Sequence, residues 1–180
     1  MMLREKKLMN VLNTTELKLR INNIIDESIV DGEGIRMVVF TQGCKLRCAF
    51  CHNPATHELE AGEFVDLEFI RNKWRGNPLL SGITISGGEP FLQVEAVYEL
   101  VKLAKKDNLD VIVYSGYTYE SLKAINCEYT NGILEEADFL IDGPFIHQLK
   151  DLSLMWRGSS NQRVIDLKET KMKDEVVTRY

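Results

Sequence analysis

The chain has 180 residues, with 22 Lys and Arg against 27 Asp and Glu and a formal net charge of −5. That length suits one domain, and 44% hydrophobic with 27% charged residues excludes disordered and collagen-like chains. An acidic balance without a large Lys/Arg cluster speaks against nucleic acid as a partner. No apolar run approaches the roughly 18 residues of a membrane span, and the N-terminus lacks the apolar core of a secretion signal, so a cytoplasmic chain with no membrane partner is expected.

In chain order, residues 1–20 mix Lys, Arg and Glu with scattered Met and Leu and read as an extension. A strand is expected near residues 19–25, and a buried β-branched run at 35–41 predicts the next. Residues 66–74 have a short helical pattern, followed by a strand at 83–86. Residues 91–106 put Leu92, Ala96, Leu100 and Leu103 close to one helical face. A strand at 111–114, a helix at 119–125 and strands at 139–142 and 164–167 complete the pattern, leaving 168–180 as a tail with a flexible end. Strands alternating with helices imply crossover units. Because a complete eightfold barrel takes about 250 residues, the expected fold is α/β, a partial, open (β/α) barrel with mainly parallel strands, roughly five or six of them, over residues 21–167.

Cys44, Cys48 and Cys51 fall in one stretch directly after the strand at 35–41, where a parallel barrel carries its active site. Clustered thiols in a reducing compartment point to metal or redox chemistry rather than to a disulfide framework. Three thiolates on an iron–sulfur cubane leave one iron open, and an open position distinguishes a catalytic metal site from a closed one. Structural zinc with His52 or His57 as fourth ligand is the alternative, although a second CxxC pair is missing. Cys127, far away, reads as a small buried hydrophobe. Ser86-Gly87-Gly88-Glu89-Pro90 follows a strand. Its paired glycines let a backbone approach a ligand and its carboxylate can accept from an ammonium group, or the stretch is a loop into the next helix.

These two motifs, in this order, resemble the radical S-adenosylmethionine superfamily. The resemblance implies that Cys44, Cys48 and Cys51 hold one 4Fe-4S cluster and that S-adenosylmethionine chelates the open iron. Reductive cleavage there yields methionine and a 5′-deoxyadenosyl radical. It further implies that Gly87, Gly88 and Glu89 contact the methionyl amino group, and that no acid–base residue is needed beyond the cluster. Residues 29–36, Thr41-Gln42-Gly43 and Cys51-His52-Asn53-Pro54 resemble the glycyl-radical-enzyme activating enzymes. Tyr114-Ser115-Gly116-Tyr117, residues 140–145 and residues 156–162 resemble, within these, the activators of anaerobic ribonucleoside-triphosphate reductase. The implied partners are that reductase and a one-electron donor such as flavodoxin or ferredoxin. Ser115 and Asp142 fall at cofactor-binding positions by the same resemblance, Asp142 beside the methionyl carboxylate and its cation. Phe50 packs on the adenine or in the core. Tyr114-Ser115-Gly116-Tyr117 departs from the Asp-Thr-Asn-Gly of pyruvate formate-lyase activators, which favours the reductase subgroup and leaves the cation open. The competing readings are an activator of pyruvate formate-lyase or another glycyl-radical enzyme, a small-molecule radical enzyme, and a noncatalytic zinc module.

Overall fold

A computed structural model describes residues 17–180. Most of the expected N-terminal extension therefore lies outside the described residues, while Lys18, Leu19 and Arg20 already belong to the first strand. The strands are β1 (Lys18–Ser28), β2 (Arg36–Thr41), β3 (Glu63–Asp66), β4 (Gly82–Gly87), β5 (Asp110–Tyr114), β6 (Phe139–Asp142), β7 (Arg163–Asp166) and β8 (Thr178–Arg179). The α-helices are α1 (Leu67–Arg75), α2 (Val94–Lys106), α3 (Tyr119–Ile125), α4 (Glu128–Glu136) and α5 (Leu167–Lys173).

All eight strands form one sheet in the order β3-β1-β2-β4-β5-β6-β7-β8, which runs from edge to edge without closing. The pairs β2–β4, β4–β5 and β5–β6 are parallel. The pairs β1–β2, β1–β3, β6–β7 and β7–β8 are antiparallel. The expectation of mainly parallel strands thus holds for the four central strands and fails at both margins. The reason lies in the connections: only residues 29–35 join β1 to β2, too few for the dozen or more of a parallel crossover. Residues 143–162 between β6 and β7 contain no α-helix to carry the chain back across the sheet.

Strand alternation builds the core. Ile83, Ile85, Val111, Val113 and Leu140 face the helices and pack with Ala96, Val97, Leu100, Val101 and Ala104 of α2. Ile112, Ile141 and Val164 point to the opposite face and form a smaller cluster with Tyr114, Phe139 and Trp156. At the start of the parallel strands that face is filled by Arg36, which is fully buried. Its guanidinium donates to Thr84 Oγ1 at 2.8 Å and to the Ile83 carbonyl at 2.6 Å, and pairs with Asp110. The buried guanidinium is thus partnered at the strand N-termini, and the open space lies toward the strand C-termini.

Two expectations are corrected. Residues 168–180 are no loose tail: most of α5 lies there, Asp166 caps that helix by accepting from Glu169 N at 2.8 Å, and β8 pairs with β7. Cys127 is half-buried at the N-cap of α4, where the N–H groups of Thr130 and Tyr129 hold its thiol below the ordinary value. No helix among the described residues is long and apolar enough to cross a membrane.

Candidate active site

Because β2, β4, β5 and β6 run parallel, their C-terminal ends come to one edge, with Thr41 beside Gly87 and Tyr114 beside Ile141. The loops leaving those ends surround a cavity of about 560 Å³, within the usual range for cofactor and ligand pockets of roughly 300–1,000 Å³. Cys44, Cys48 and Cys51 all line it, together with Gly87, Gly88 and Ser115. Six of the nine residues singled out from sequence therefore meet in one wall.

The glycines also meet a packing constraint within the fold. Gly87 has φ +103, and a Cβ there would run into the backbone N and O of Thr41; a Cβ on Gly88 would strike the carbonyl of Gly43. The pair is small so that the turn after β4 can lie against the backbone entering the cysteine loop. Gly88 N donates to Thr41 O at 2.8 Å and Glu89 N to Gly43 O at 2.9 Å, which locks the two loops together.

Glu89 stands directly behind the cavity wall and is 0% exposed. Its carboxylate accepts from Gly116 N at 2.8 Å, Ser115 Oγ at 3.0 Å and Phe91 N at 3.1 Å. Burial pushes this carboxyl up to about 7, and the hydrogen bonds from Gly116, Phe91 and Ser115 oppose that rise. Ser115 and Gly116, which line the cavity, thus connect it to Glu89.

Phe50 and Asp142 are elsewhere. Phe50 has φ +58, is 72% exposed and sets its ring 4.2 Å from that of His147, outside the cavity lining. Asp142 shares strand parity with Leu140, so it emerges on the helix side of the sheet. There it pairs with Arg163 and accepts from Tyr119 N at 2.7 Å, at the start of α3. Residues 156–162, whose role was open in the sequence, supply Trp156, Arg157, Gly158 and Gln162 to the cavity wall. Gln162 holds that segment: its Nε2 donates to Gly143 O at 3.0 Å and its Oε1 accepts from Gly158 N at 3.0 Å. Sequence reasoning passed over Leu46 and Thr56 in the lining, and nothing in their residue types announces a ligand.

The donor set suits a thiolate-bound cluster. All three cysteines are free thiols. Burial pushes the Cys44 thiol up, but the N–H groups of Leu46 and Arg47 hydrogen-bond to its sulfur and favour the thiolate. Among the described residues no group of three or more His, Cys, Asp or Glu side chains is gathered as for a single metal ion. Three free thiols lining one cavity are the soft ligands that an iron–sulfur cluster takes. His52 and His57 also line the cavity: His52 packs against Phe145 with ring centroids 4.7 Å apart, and His57 O accepts from Cys44 N.

Comparison with known proteins agrees with this donor set. A family described as a 4Fe-4S single cluster domain matches residues 30–165. The anaerobic ribonucleoside-triphosphate reductase-activating protein of Escherichia coli is 32% identical over 149 residues, 78% of this chain and 94% of that protein. The corresponding protein of Haemophilus influenzae is 32% identical over 142 residues, 74% of this chain and 89% of that one. The pyruvate formate-lyase-activating enzyme of Clostridium pasteurianum is 39% identical over 112 residues, 59% of this chain, which spans only 47% of that longer enzyme. By the extent of these matches, the chain belongs to the 4Fe-4S single cluster domain family and, within it, to the anaerobic ribonucleoside-triphosphate reductase-activating proteins.

Proposed function

We propose that this chain activates anaerobic ribonucleoside-triphosphate reductase by generating a glycyl radical on it, at the expense of S-adenosylmethionine. The observation that carries the reading is the meeting of Cys44, Cys48 and Cys51 with the Gly87–Gly88 turn and Ser115 around one cavity at the ends of parallel strands. We take residues 18–167 as the radical S-adenosylmethionine domain, with its sheet as the partial barrel of that superfamily, and residues 168–180 as a segment packed onto the domain.

Cys44, Cys48 and Cys51 would hold the cluster, which when bound supplies the electron that cleaves S-adenosylmethionine into methionine and a 5′-deoxyadenosyl radical. The chain's own groups bind, orient and shield. Gly87, Gly88 and Ser115 present backbone and hydroxyl groups to the methionyl end, and Glu89 holds Ser115 and Gly116 in place from behind. Leu46, Leu152, Leu154 and Trp156 give the wall an apolar stretch that keeps water from a radical. Phe50 and Asp142, which do not line the cavity, are left out of that set. No residue is assigned an acid or base role, since hydrogen-atom transfer moves proton and electron together. The partners in this reading are the reductase and a one-electron donor of the flavodoxin or ferredoxin kind, in the cytoplasm, without nucleic acid.

The test is Cys48→Ala. It should lose the cluster and all reductase activation while its circular dichroism stays that of the parent; retained activation would reject the cluster assignment. A second reading, activation of pyruvate formate-lyase, draws on the 39% identity to the Clostridium enzyme. Offering each purified partner to the chain separates the two readings by which one gains the radical.

A further inference from the structure

Gln42 lies between the end of β2 and the first cysteine, and its side chain is buried, with the residue 2% exposed. Its Nε2 donates to two carbonyls across the loop, Ala55 O at 3.0 Å and Glu58 O at 2.7 Å. Its Oε1 accepts from Asn22 Nδ2 at 2.9 Å on β1, which fixes which end of the amide faces the loop. The stem is confined as well, since a Cβ on Gly62, at φ +74, would stand 2.9 Å from Gln42 Cβ and Cγ.

Beside these bonds, Gly43 N donates to Thr56 O at 2.8 Å and Cys44 N to His57 O at 3.2 Å. Residues 42–44 and 55–58 therefore form a neck closed by four hydrogen bonds, two of them from one side chain. Cys44 is part of the neck, while Cys48 and Cys51 ride on the arc that hangs from it. The neck is also held to its surroundings: Gln42 N donates to Arg20 O at 3.0 Å, and Gln42 O accepts from Gln93 Nε2 at 3.1 Å.

We propose that Gln42 is the positioning residue of the cysteine loop: its amide sets the width of the neck, and so the placement of Cys44 relative to Cys48, Cys51 and the turn at Gly87. This rests on the reading of the three cysteines as cluster ligands. The argument is one of unpaired groups. Without the amide donor, the two half-buried hydrogen bonds that tie the carbonyls of Ala55 and Glu58 to Gln42 are lost, and the neck opens as those carbonyls turn to water. The opening is local, because β2 and β4 keep their own ladder.

Two variants and two readouts test it. Gln42→Glu keeps shape but turns the donor into an acceptor at neutral pH, and Asn22→Leu removes only the group that orients the amide. In cluster-free protein, hydrogen exchange at the amides of Gly43 and Cys44 should quicken about tenfold in Gln42→Glu, and less in Asn22→Leu, with Val38 and Ile85 in the sheet unchanged. After anaerobic reconstitution, Gln42→Glu should retain less than half the iron of the parent on gel filtration. It should also need about tenfold more S-adenosylmethionine to shift the electron paramagnetic resonance of its reduced cluster. Parent-like exchange and iron content in Gln42→Glu would overturn the proposal, and so would accelerated exchange throughout the sheet, which marks a general loss of stability. If the parent protein itself binds no iron–sulfur cluster, the reading of the cysteines fails instead, and the exchange data show it separately.

Discussion

Glu89 combines full burial with three donors and, among the described residues, no cationic partner, and this leaves its carboxyl raised to about 7 from an ordinary 4.5. Between those values the folded chain keeps a proton that the unfolded chain has released, so stability falls as pH rises from about 4.5 to about 7. At about 1.4 kcal/mol per pKa unit, the span reaches roughly 3 kcal/mol. Glu89→Gln cannot ionise, so urea denaturation of the cluster-free variant across that range should show a flatter profile than the parent; parallel profiles would contradict the account. In the loaded protein the same variant should weaken S-adenosylmethionine binding about tenfold, measured by calorimetry. At this scale the sequence was legible where chemistry and spacing coincide, as for Cys44, Cys48 and Cys51 on one loop. It was not legible for Asp142, whose place depends on strand parity and on an arginine 21 residues away. Nor was it for Gln42, whose partners at Asn22 and Glu58 come together only in the fold.

Asp107, just past the end of α2, shows how the helices are held to one another. Its carboxylate accepts from Arg71 at 2.8 and 2.9 Å, from Arg75 at 3.0 Å and from Trp74 Nε1 at 3.0 Å, so α1 is tied to α2. The Arg71 hydrogen bonds hold this carboxyl well below the usual range. Replacing it leaves a buried guanidinium short of its partner, so Asp107→Ala should cost about 3 kcal/mol, whereas Arg75→Ala, at the exposed end, should cost under about 1 kcal/mol. Chemical denaturation of both variants checks the difference, and equal small losses would remove Asp107 from that role. Strands made of β-branched runs were legible as elements, with 139–142 matching the observed bounds. The missed elements lack such a pattern. β3 exposes three of its four residues, and α4 carries Gly132 mid-helix, where a Cβ would collide with the Tyr98 ring of α2. That glycine lowers helix propensity in return for close packing between helices.

At the scale of the whole molecule, the central parallel strands bring four loops to one edge, and the antiparallel margins extend the sheet without closing it. The alternation of strands and helices made the first property legible. The second depended on connection lengths and on terminal residues that carry little apolar signal. An open sheet with its polar plug at Arg36 leaves the cavity reachable from outside, as a protein-borne glycine requires. The most direct measurement is electron paramagnetic resonance on the anaerobically reconstituted chain, reduced and mixed with S-adenosylmethionine and anaerobic ribonucleoside-triphosphate reductase. The account predicts a glycyl radical on the reductase that disappears when any one of Cys44, Cys48 and Cys51 is replaced by Ala. A cluster signal that responds to S-adenosylmethionine without any glycyl radical on the reductase would contradict it.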